Sequence, residues 1–216
     1  MVTIDLCCKF MNNTKIPSLS GKEIYASLRT VITPEVETNL PLYNWKNIWS
    51  NIHSKYVDKY DRVVVYKFIY NVLPTKKKLK AMNIHGIDTE LCSMCNEPES
   101  NIHLSYFCKK IKCLLKFSLK LCEDICNKNI GDPLAFLYFD FRMSNMTKHV
   151  CALIISCYIG TVWSLRNENI GLAMLKRKLL SKIRYNIQSI ILCYKLNDKN
   201  RKLFIDLDQR CINLIY

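Results

Sequence analysis

Apolar side chains recur at helical spacing over most of this chain. The first stripe occupies positions i, i+3, i+4 and i+7, which predicts a helix whose buried side carries Trp45, Ile48, Trp49 and Ile52. A second helix is predicted over 58–72, although its run Val63, Val64 and Val65 also suits a strand. A third is predicted to start after Thr75, with Leu79 and Met82 facing inward.

Further stripes extend the helical pattern toward the C-terminus. Segment 105–126 is predicted as one helix, with an apolar side formed by Phe107, Ile111, Leu114, Leu115, Leu119 and Cys122. A helix over 147–167 follows, then a basic amphipathic helix over 172–194 and one more short helix within 198–216. The aromatic run 134–141 is either a strand or a buried connector.

One short segment carries four residues of the types that bind soft metals. Cys92, Cys95, His103 and Cys108 follow the order C-x2-C-x7-H-x4-C. Three thiolates and one imidazole suit Zn²⁺, and four protein ligands leave no position for a reacting water, which predicts a structural site. Ser100 is the predicted N-cap of a helix that holds His103 in its first turn, with a bend near Cys108. Cys113 and His85 are possible competing ligands, but neither has a well-spaced partner.

These patterns predict a mainly α fold, with a helical bundle-like domain organised around the CCHC zinc-binding loop and a second, C-terminal helical segment. The predicted divisions are an N-terminal lead-in over 1–43, a zinc-binding domain over 44–130 and a helical region over 131–216. The lead-in contains a short helix over 20–30, indicated by the capping box Ser20-Gly21-Lys22-Glu23, and a Pro-containing linker. The low content of 5 Gly and 6 Pro also favours helices.

Charge and cysteine content narrow the classes of function. The formal net charge is +14; one Zn²⁺ on three thiolates adds two charges and removes three, so about +13 remains. Such a field favours nucleic acid first and an anionic membrane surface second, although an AT-biased genome also produces lysine without selection for binding. The apolar run 150–165 is short for a membrane span and is interpreted as a core helix.

The N-terminus lacks a basic-then-apolar signal segment, so we expect an intracellular protein, nuclear or cytoplasmic and not secreted. In a reducing compartment the cysteines outside the motif are expected to be small buried apolar residues, namely Cys7, Cys8, Cys113, Cys122, Cys126, Cys151, Cys157, Cys193 and Cys211.

Lysines flank the cysteine motif on both sides. They form two groups, Lys76, Lys77, Lys78 and Lys80 before it, and Lys109, Lys110 and Lys112 after it. Cations at a helix start oppose the helix dipole, and a bound phosphate would relieve them; the alternative is an ordinary solvated face. We expect a metal ion to hold the two groups against each other as a phosphate-binding surface, with Trp45 or Tyr106 stacking on bases if exposed.

Motifs over residues 45–110 resemble the reverse-transcriptase zinc-binding domain of non-LTR (LINE-type) retrotransposon polyproteins. The similar elements are Trp45 with Ile48-Trp49, Tyr66-Lys67-Phe68, Leu73-Pro74-Thr75, the Cys92–Cys95 pair, Glu99-Ser100 with His103, and Cys108. Further on, Trp163-Ser164-Leu165-Arg166-Asn167 is similar to a segment that often follows that domain. The resemblance implies a module that holds template RNA or target DNA, with a reverse-transcriptase/endonuclease polypeptide as a possible partner.

We expect no enzymatic activity, because no polymerase, endonuclease or RNase H motif and no acid/base pair is evident. Asp58 and Asp61 are interpreted as helix-start acids, and His149 has no evident nucleophile nearby. The leading hypothesis is a zinc-stabilised nucleic-acid-binding module without a membrane or small-molecule partner. The alternative is a non-catalytic protein-interaction or scaffold domain, or a retrotransposon-derived remnant that does not bind nucleic acid.

Overall fold

Helices provide almost all regular structure in the computed structural model, which describes residues 43–168 and 170–215, the side chain of Asn145 excepted. In chain order they are α1 (Trp45–Ile52), α2 (Lys59–Ile69), α3 (Lys76–Ala81), a π-helical turn (His103–Phe107), α4 (Lys112–Cys126), α5 (Pro133–Leu137), α6 (Asn145–Leu165), α7 (Leu172–Cys193) and α8 (Asp198–Ile215). The mainly α prediction is confirmed. The predicted helix 20–30, the linker, Cys7 and Cys8 lie outside the described residues.

The long apolar helix α6 lies at the centre of the packing. It contacts α1, α2, α4, α7 and the π-helical turn, while α7 packs on its other side against α8. The side chains from Val150 to Ile155 are fully buried, as the core-helix interpretation requires. Among the described helices, Met146–Leu165 is long and apolar enough to cross a membrane, and 78% of its apolar window is buried inside the protein. Helices from both sides of residue 130 pack on α6, and the predicted domain division there stays a prediction.

Side-chain caps fix the starts of several helices. Asn44 Oδ1 accepts from Asn47 N at 3.1 Å at the start of α1. Asp58 accepts from the first backbone N–H groups of α2, which continues through the valine run, so the strand alternative is wrong there. Asp132 does the same for α5, with Pro133 at the first helical position, where its missing N–H costs nothing.

The aromatic run 134–141 forms the short helix α5 followed by a buried connector, and no strand. Phe139 is fully buried with φ 65°, a conformation that bulky residues rarely adopt. The side chain of Asn51, from α1, donates to the carbonyl oxygens of Phe139 (2.7 Å) and Phe141 (3.1 Å). These two bonds satisfy the buried carbonyls and hold the connector against α1.

A buried ion pair joins α2 to α7 across α6. The carboxylate of Asp61 is fully buried and accepts from Lys182 Nζ. Burial raises the pKa of Asp61, and the Lys182 ammonium opposes that shift. Gly160 of α6 leaves the room for this pair, because a Cβ there would overlap Asp61 Oδ1 and lie 2.7 Å from Lys182 Nζ.

Some predicted helix bounds and some predicted cysteine burials are wrong. Segment 105–126 is the end of the π-helical turn, a bend and then α4, and is not one helix. The last helix, α8, has 18 residues and is not short. Cys113 and Cys193 are exposed and Cys126 is half-buried, whereas Cys122, Cys151, Cys157 and Cys211 are buried as expected.

Candidate metal centre

The four predicted ligands come together in one cluster. One ligand atom from each of Cys92, Cys95, His103 and Cys108 lies within 4.8 Å of the others. His103 Nε2 is 3.2 Å from Cys95 Sγ, and Cys95 Sγ is 3.7 Å from Cys108 Sγ. Two sulfurs at 2.3 Å from a tetrahedral ion would be about 3.8 Å apart, so the spacing suits a metal ion at the centre. We call residues 90–108 the cluster segment.

A tight turn places the first two cysteines. Cys92 N donates to Glu97 O at 2.8 Å, and Asn96 N donates back to Cys92 O at 2.9 Å. Asn96 adopts a φ of 64°, which Asn tolerates better than most residues. The antiparallel bridge between Leu91 and Pro98 closes the turn. The backbone therefore points both thiols to the same side.

A π-helical turn places the other two ligands. Ser100 Oγ accepts from His103 N at 3.1 Å, which confirms the predicted cap. Cys108 N then donates to His103 O at 2.7 Å, an i to i+5 bond that closes a wider turn than an α-helix has. Residues five apart therefore lie one above the other. The predicted bend at Cys108 is confirmed by its extended backbone, with φ −60° and ψ 121°.

A hydrogen bond from the core stabilises the π-helical turn. Ser105 O, which the widened turn leaves available, accepts from the hydroxyl of buried Tyr158 at 2.5 Å. Tyr158 belongs to α6, and burial raises its pKa well above the ordinary value. A side chain of the central helix thus fixes the backbone between two of the ligands.

The thiols of Cys92 and Cys108 have pKa values shifted in opposite directions. The hydrogen bond to Cys108 and burial raise the pKa of Cys92 to about 12. The same bond lowers the pKa of Cys108, because it stabilises the thiolate there. Three of the ligands are buried and Cys95 is half-buried. A metal ion that replaces these protons would be enclosed by four protein ligands, an arrangement typical of structural sites.

Buried Glu99 connects the cluster segment to α3. Its Oε1 atom accepts from Lys76 N at 2.9 Å, and its backbone oxygen accepts from Lys77 N at 3.3 Å. Thr75 makes no side-chain bond to the helix start, so Glu99 caps α3 in its place. The charge of Glu99 also acts on Arg166, whose guanidinium lies 3.6 Å from the Trp163 ring centre and whose pKa burial lowers.

The two lysine groups both contact the cluster segment. Lys76 Nζ donates to Ser93 Oγ, and Lys109 Nζ lies 3.7 Å from Glu97 Oε1. Lys80 Nζ donates to Asp88 O at 2.9 Å, and burial lowers the pKa of Lys78. Lys77, Lys110 and Lys112 are exposed and form no ion pair with a described residue.

Aromatic exposure differs from the sequence interpretation. Phe107, predicted to be apolar core, is 60% exposed next to Cys108 and packs edge-on against Tyr106 at 4.9 Å between ring centres. Trp45 and Tyr106 are only half-buried, and Met82, predicted to face inward, is exposed. The extra residue in the π-helical turn rotates Phe107 away from the stripe that helical spacing assigns to it.

Other candidate groups lie apart from the cluster. Cys113 and His85 are exposed, and neither belongs to the four-residue group that the described residues form. His149 does have a hydroxyl neighbour, since its Nδ1 atom lies 2.9 Å from Ser54 Oγ. Ser54 itself is buried, with 1% of its surface exposed.

No protein-family model matches the chain, and no curated protein or solved structure matches it. The cluster, which could hold a metal ion, therefore stands on its own geometry.

Proposed function

We propose that this chain is a zinc-stabilised, non-catalytic module that binds nucleic acid through phosphate contacts. The observation that carries the proposal is the position of the cluster segment, which gathers four metal ligands and contacts both lysine groups. The resemblance to the retrotransposon zinc-binding domain supports the same function. It also makes a reverse-transcriptase/endonuclease polypeptide a candidate partner.

Zinc is the metal that this donor set favours. Three sulfurs and one imidazole nitrogen match a common structural Zn²⁺ site, whereas hard cations such as Mg²⁺ prefer oxygen ligands. Cys92, Cys95, His103 and Cys108 would hold the ion. Free cysteines persist most readily in a reducing compartment, which supports an intracellular location in the nucleus or cytoplasm.

The exposed lysines supply the phosphate contacts. Lys77 lies on α3, and Lys110 and Lys112 lie at the bend and start of α4, on the two segments that flank the cluster segment. Each lysine that neutralises a phosphate releases a counterion, so affinity falls linearly on a plot of log affinity against log salt. Contacts of this kind carry little base specificity.

Phe107 favours unpaired nucleotides over duplex. Its ring is exposed, lies next to a metal ligand and has Lys109 and Lys110 two and three residues away. A base can stack on such a ring only when it is not enclosed in a duplex, and each stacked base contributes about 1–3 kcal/mol. Phe107 therefore takes the role that the sequence assigned to Trp45 or Tyr106.

The test is a salt titration of the zinc-loaded protein with labelled single-stranded RNA, single-stranded DNA and duplex DNA. Replacing Lys77, Lys110 and Lys112 together with Ala should reduce the single-strand salt slope by about 2, at roughly 0.7 per phosphate contact. The matched control replaces exposed Lys59, Lys67 and Lys195, which lie outside both lysine groups, and should change the slope much less.

Equal slopes in the two triple variants would refute the assigned surface. Weak, salt-independent binding of all three polymers to the wild type would refute nucleic-acid binding itself. That outcome would favour the protein-interaction or remnant alternative. The positive net charge would then reflect the lysine content that an AT-biased genome produces, without selection for binding.

A further inference from the structure

A second candidate binding site lies in a cleft formed by the loop after α1 and the first turns of α6 and α8. Its volume is about 720 Å³, within the range of sites for small ligands. The walls carry Lys55, Tyr56, His149, Lys199 and Lys202, together with polar groups that include Thr147 and Asn200. None of these residues belongs to the cluster segment or to the two lysine groups.

The cleft has an excess of positive charge. Lys55, Lys199 and Lys202 line it, while Asp206 is the one carboxylate among its lining residues. None of the three lysines forms an ion pair with a residue that the structure describes. Lys199 and Lys202 are three residues apart on α8 and therefore lie on the same side of that helix.

The opposite wall is held in place by aromatic contacts. Lys55 Nζ lies 5.0 Å from the ring centre of Tyr56 and 5.6 Å from that of Tyr194. The hydroxyl of Tyr194 in turn donates to Lys55 O at 2.8 Å. These contacts fix the direction of one cation, so the cleft has a defined positive side and is more than a group of mobile surface lysines.

His149 lies in the wall of the cleft, and its pKa responds to the charges there. Its Nδ1 atom is 2.9 Å from Ser54 Oγ, and its ring packs edge-on against Tyr56 at 5.4 Å between ring centres. Burial lowers the pKa of His149, and the positive charges of Lys148 and Lys55 lower it further. An anion bound in the cleft would offset those charges and stabilise the imidazolium.

We propose that this cleft binds a phosphate group. Three unpaired ammonium groups, with hydroxyl and amide donors beside them, match the charge and the acceptor oxygens of phosphate, whereas a cation would be repelled. The phosphate can come from a free nucleotide or from the backbone of a nucleic acid. The volume accommodates either, and the shared chemistry is the phosphate itself.

The test follows the four histidines of the zinc-loaded chain by NMR through a pH titration at constant ionic strength. The probes are inorganic phosphate, adenosine 5′-monophosphate and a single-stranded RNA oligonucleotide, with sodium chloride as the reference anion. Binding in the cleft should shift the His149 signal and raise the pKa of His149, which nonspecific binding at the cluster segment would not do.

The variant Lys199→Ala/Lys202→Ala should bind the effective probe at least about tenfold more weakly, because charge-assisted contacts are lost. Lys195→Ala/Arg201→Ala is the matched control: it also removes two exposed positive charges, just before and within the first turn of α8, but neither residue lines the cleft. Removing lysines from a helix start is not expected to impair folding.

Each outcome decides the proposal. A His149 response to phosphate or the nucleotide identifies a free anion as the source, and a response to RNA alone identifies a nucleic-acid backbone. No His149 response beyond that to chloride refutes the site. Equal binding by Lys199→Ala/Lys202→Ala and by Lys195→Ala/Arg201→Ala refutes it as well, and neither result depends on whether the cluster segment binds nucleic acid.

Discussion

The cluster segment and the helices around α6 are stabilised by different interactions. In the core, side chains such as Leu153, Ile154 and Ile155 are fully buried, and five structural elements pack on one helix. Within the cluster segment, Leu91 is 37% exposed and Phe107 60% exposed, and regular structure is limited to one bridge and one short helical stretch. Packing accounts for the core alone. The cluster segment also contributes buried side chains such as Leu104 to that core, and we predict that bonds to a metal ion supply the rest of its stability.

Replacing one of the four predicted metal ligands should have the largest effect, and it should affect the cluster segment much more than the helices around α6. Cys95→Ser should abolish stoichiometric metal binding and unfold residues 84–108, because in small metal sites the binding free energy is folding free energy, about 10–16 kcal/mol for zinc-finger peptides. The helices around α6 should remain folded. Hydrogen exchange resolved by residue, together with metal content, measures both effects.

Cys113→Ser is the control for this variant, because Cys113 is exposed and lies outside the four-residue group. It should retain the metal and the exchange pattern of the wild type. Wild-type exchange protection of the cluster segment in Cys95→Ser would show that the metal is not needed for its fold.

A smaller effect should be confined to the core. Gly160→Ala places a Cβ against the buried carboxylate of Asp61 and beside Lys182 Nζ. Separating that pair should lower the free energy of unfolding by about 3 kcal/mol, since a buried charge then loses its partner. Gly131→Ala, whose added Cβ meets no atom within 4 Å, should change it by less than about 0.5 kcal/mol.

Chemical denaturation of the two glycine variants measures these differences, and a zinc titration of folded Gly160→Ala should give wild-type affinity. If both variants are equally stable, the ion pair does not require Gly160.

The smallest effect tests the link between the regions. Tyr158→Phe removes the hydroxyl that donates to Ser105 O and leaves a buried carbonyl without that partner. We expect a loss of about 1–3 kcal/mol in unfolding free energy. Metal affinity should also fall by about tenfold, because the backbone between His103 and Cys108 is less firmly held.

A competitive titration measures the affinity for zinc, and a denaturation curve measures the free energy of unfolding. Tyr185→Phe, at an exposed site, is the control. A stability loss with unchanged metal affinity would mean that the core does not position the ligands.

The sequence predicts the parts of the fold that depend on local pattern. Helices α1, α2, α6 and α7 follow from apolar spacing, and the four ligands follow from their residue types and separation. The exposure of Phe107 could not be predicted, because spacing analysis assumes 3.6 residues per turn and the π-helical turn has a wider repeat. Beyond the bend the pattern holds again, since Ile111 and Leu114 are buried as predicted. The Asp61–Lys182 pair was missed because its members are 121 residues apart and no local signal connects them.

We propose that a metal ion organises the nucleic-acid-binding surface of this protein. The most direct test of this proposal measures the affinity of the full chain for single-stranded RNA before zinc removal by a chelator, after removal and after reloading, with circular dichroism in each state. The affinity for RNA should fall by at least about tenfold without zinc and return on reloading, while most of the helicity persists. Equal affinity in all three states, with the metal demonstrably removed, would contradict the proposal.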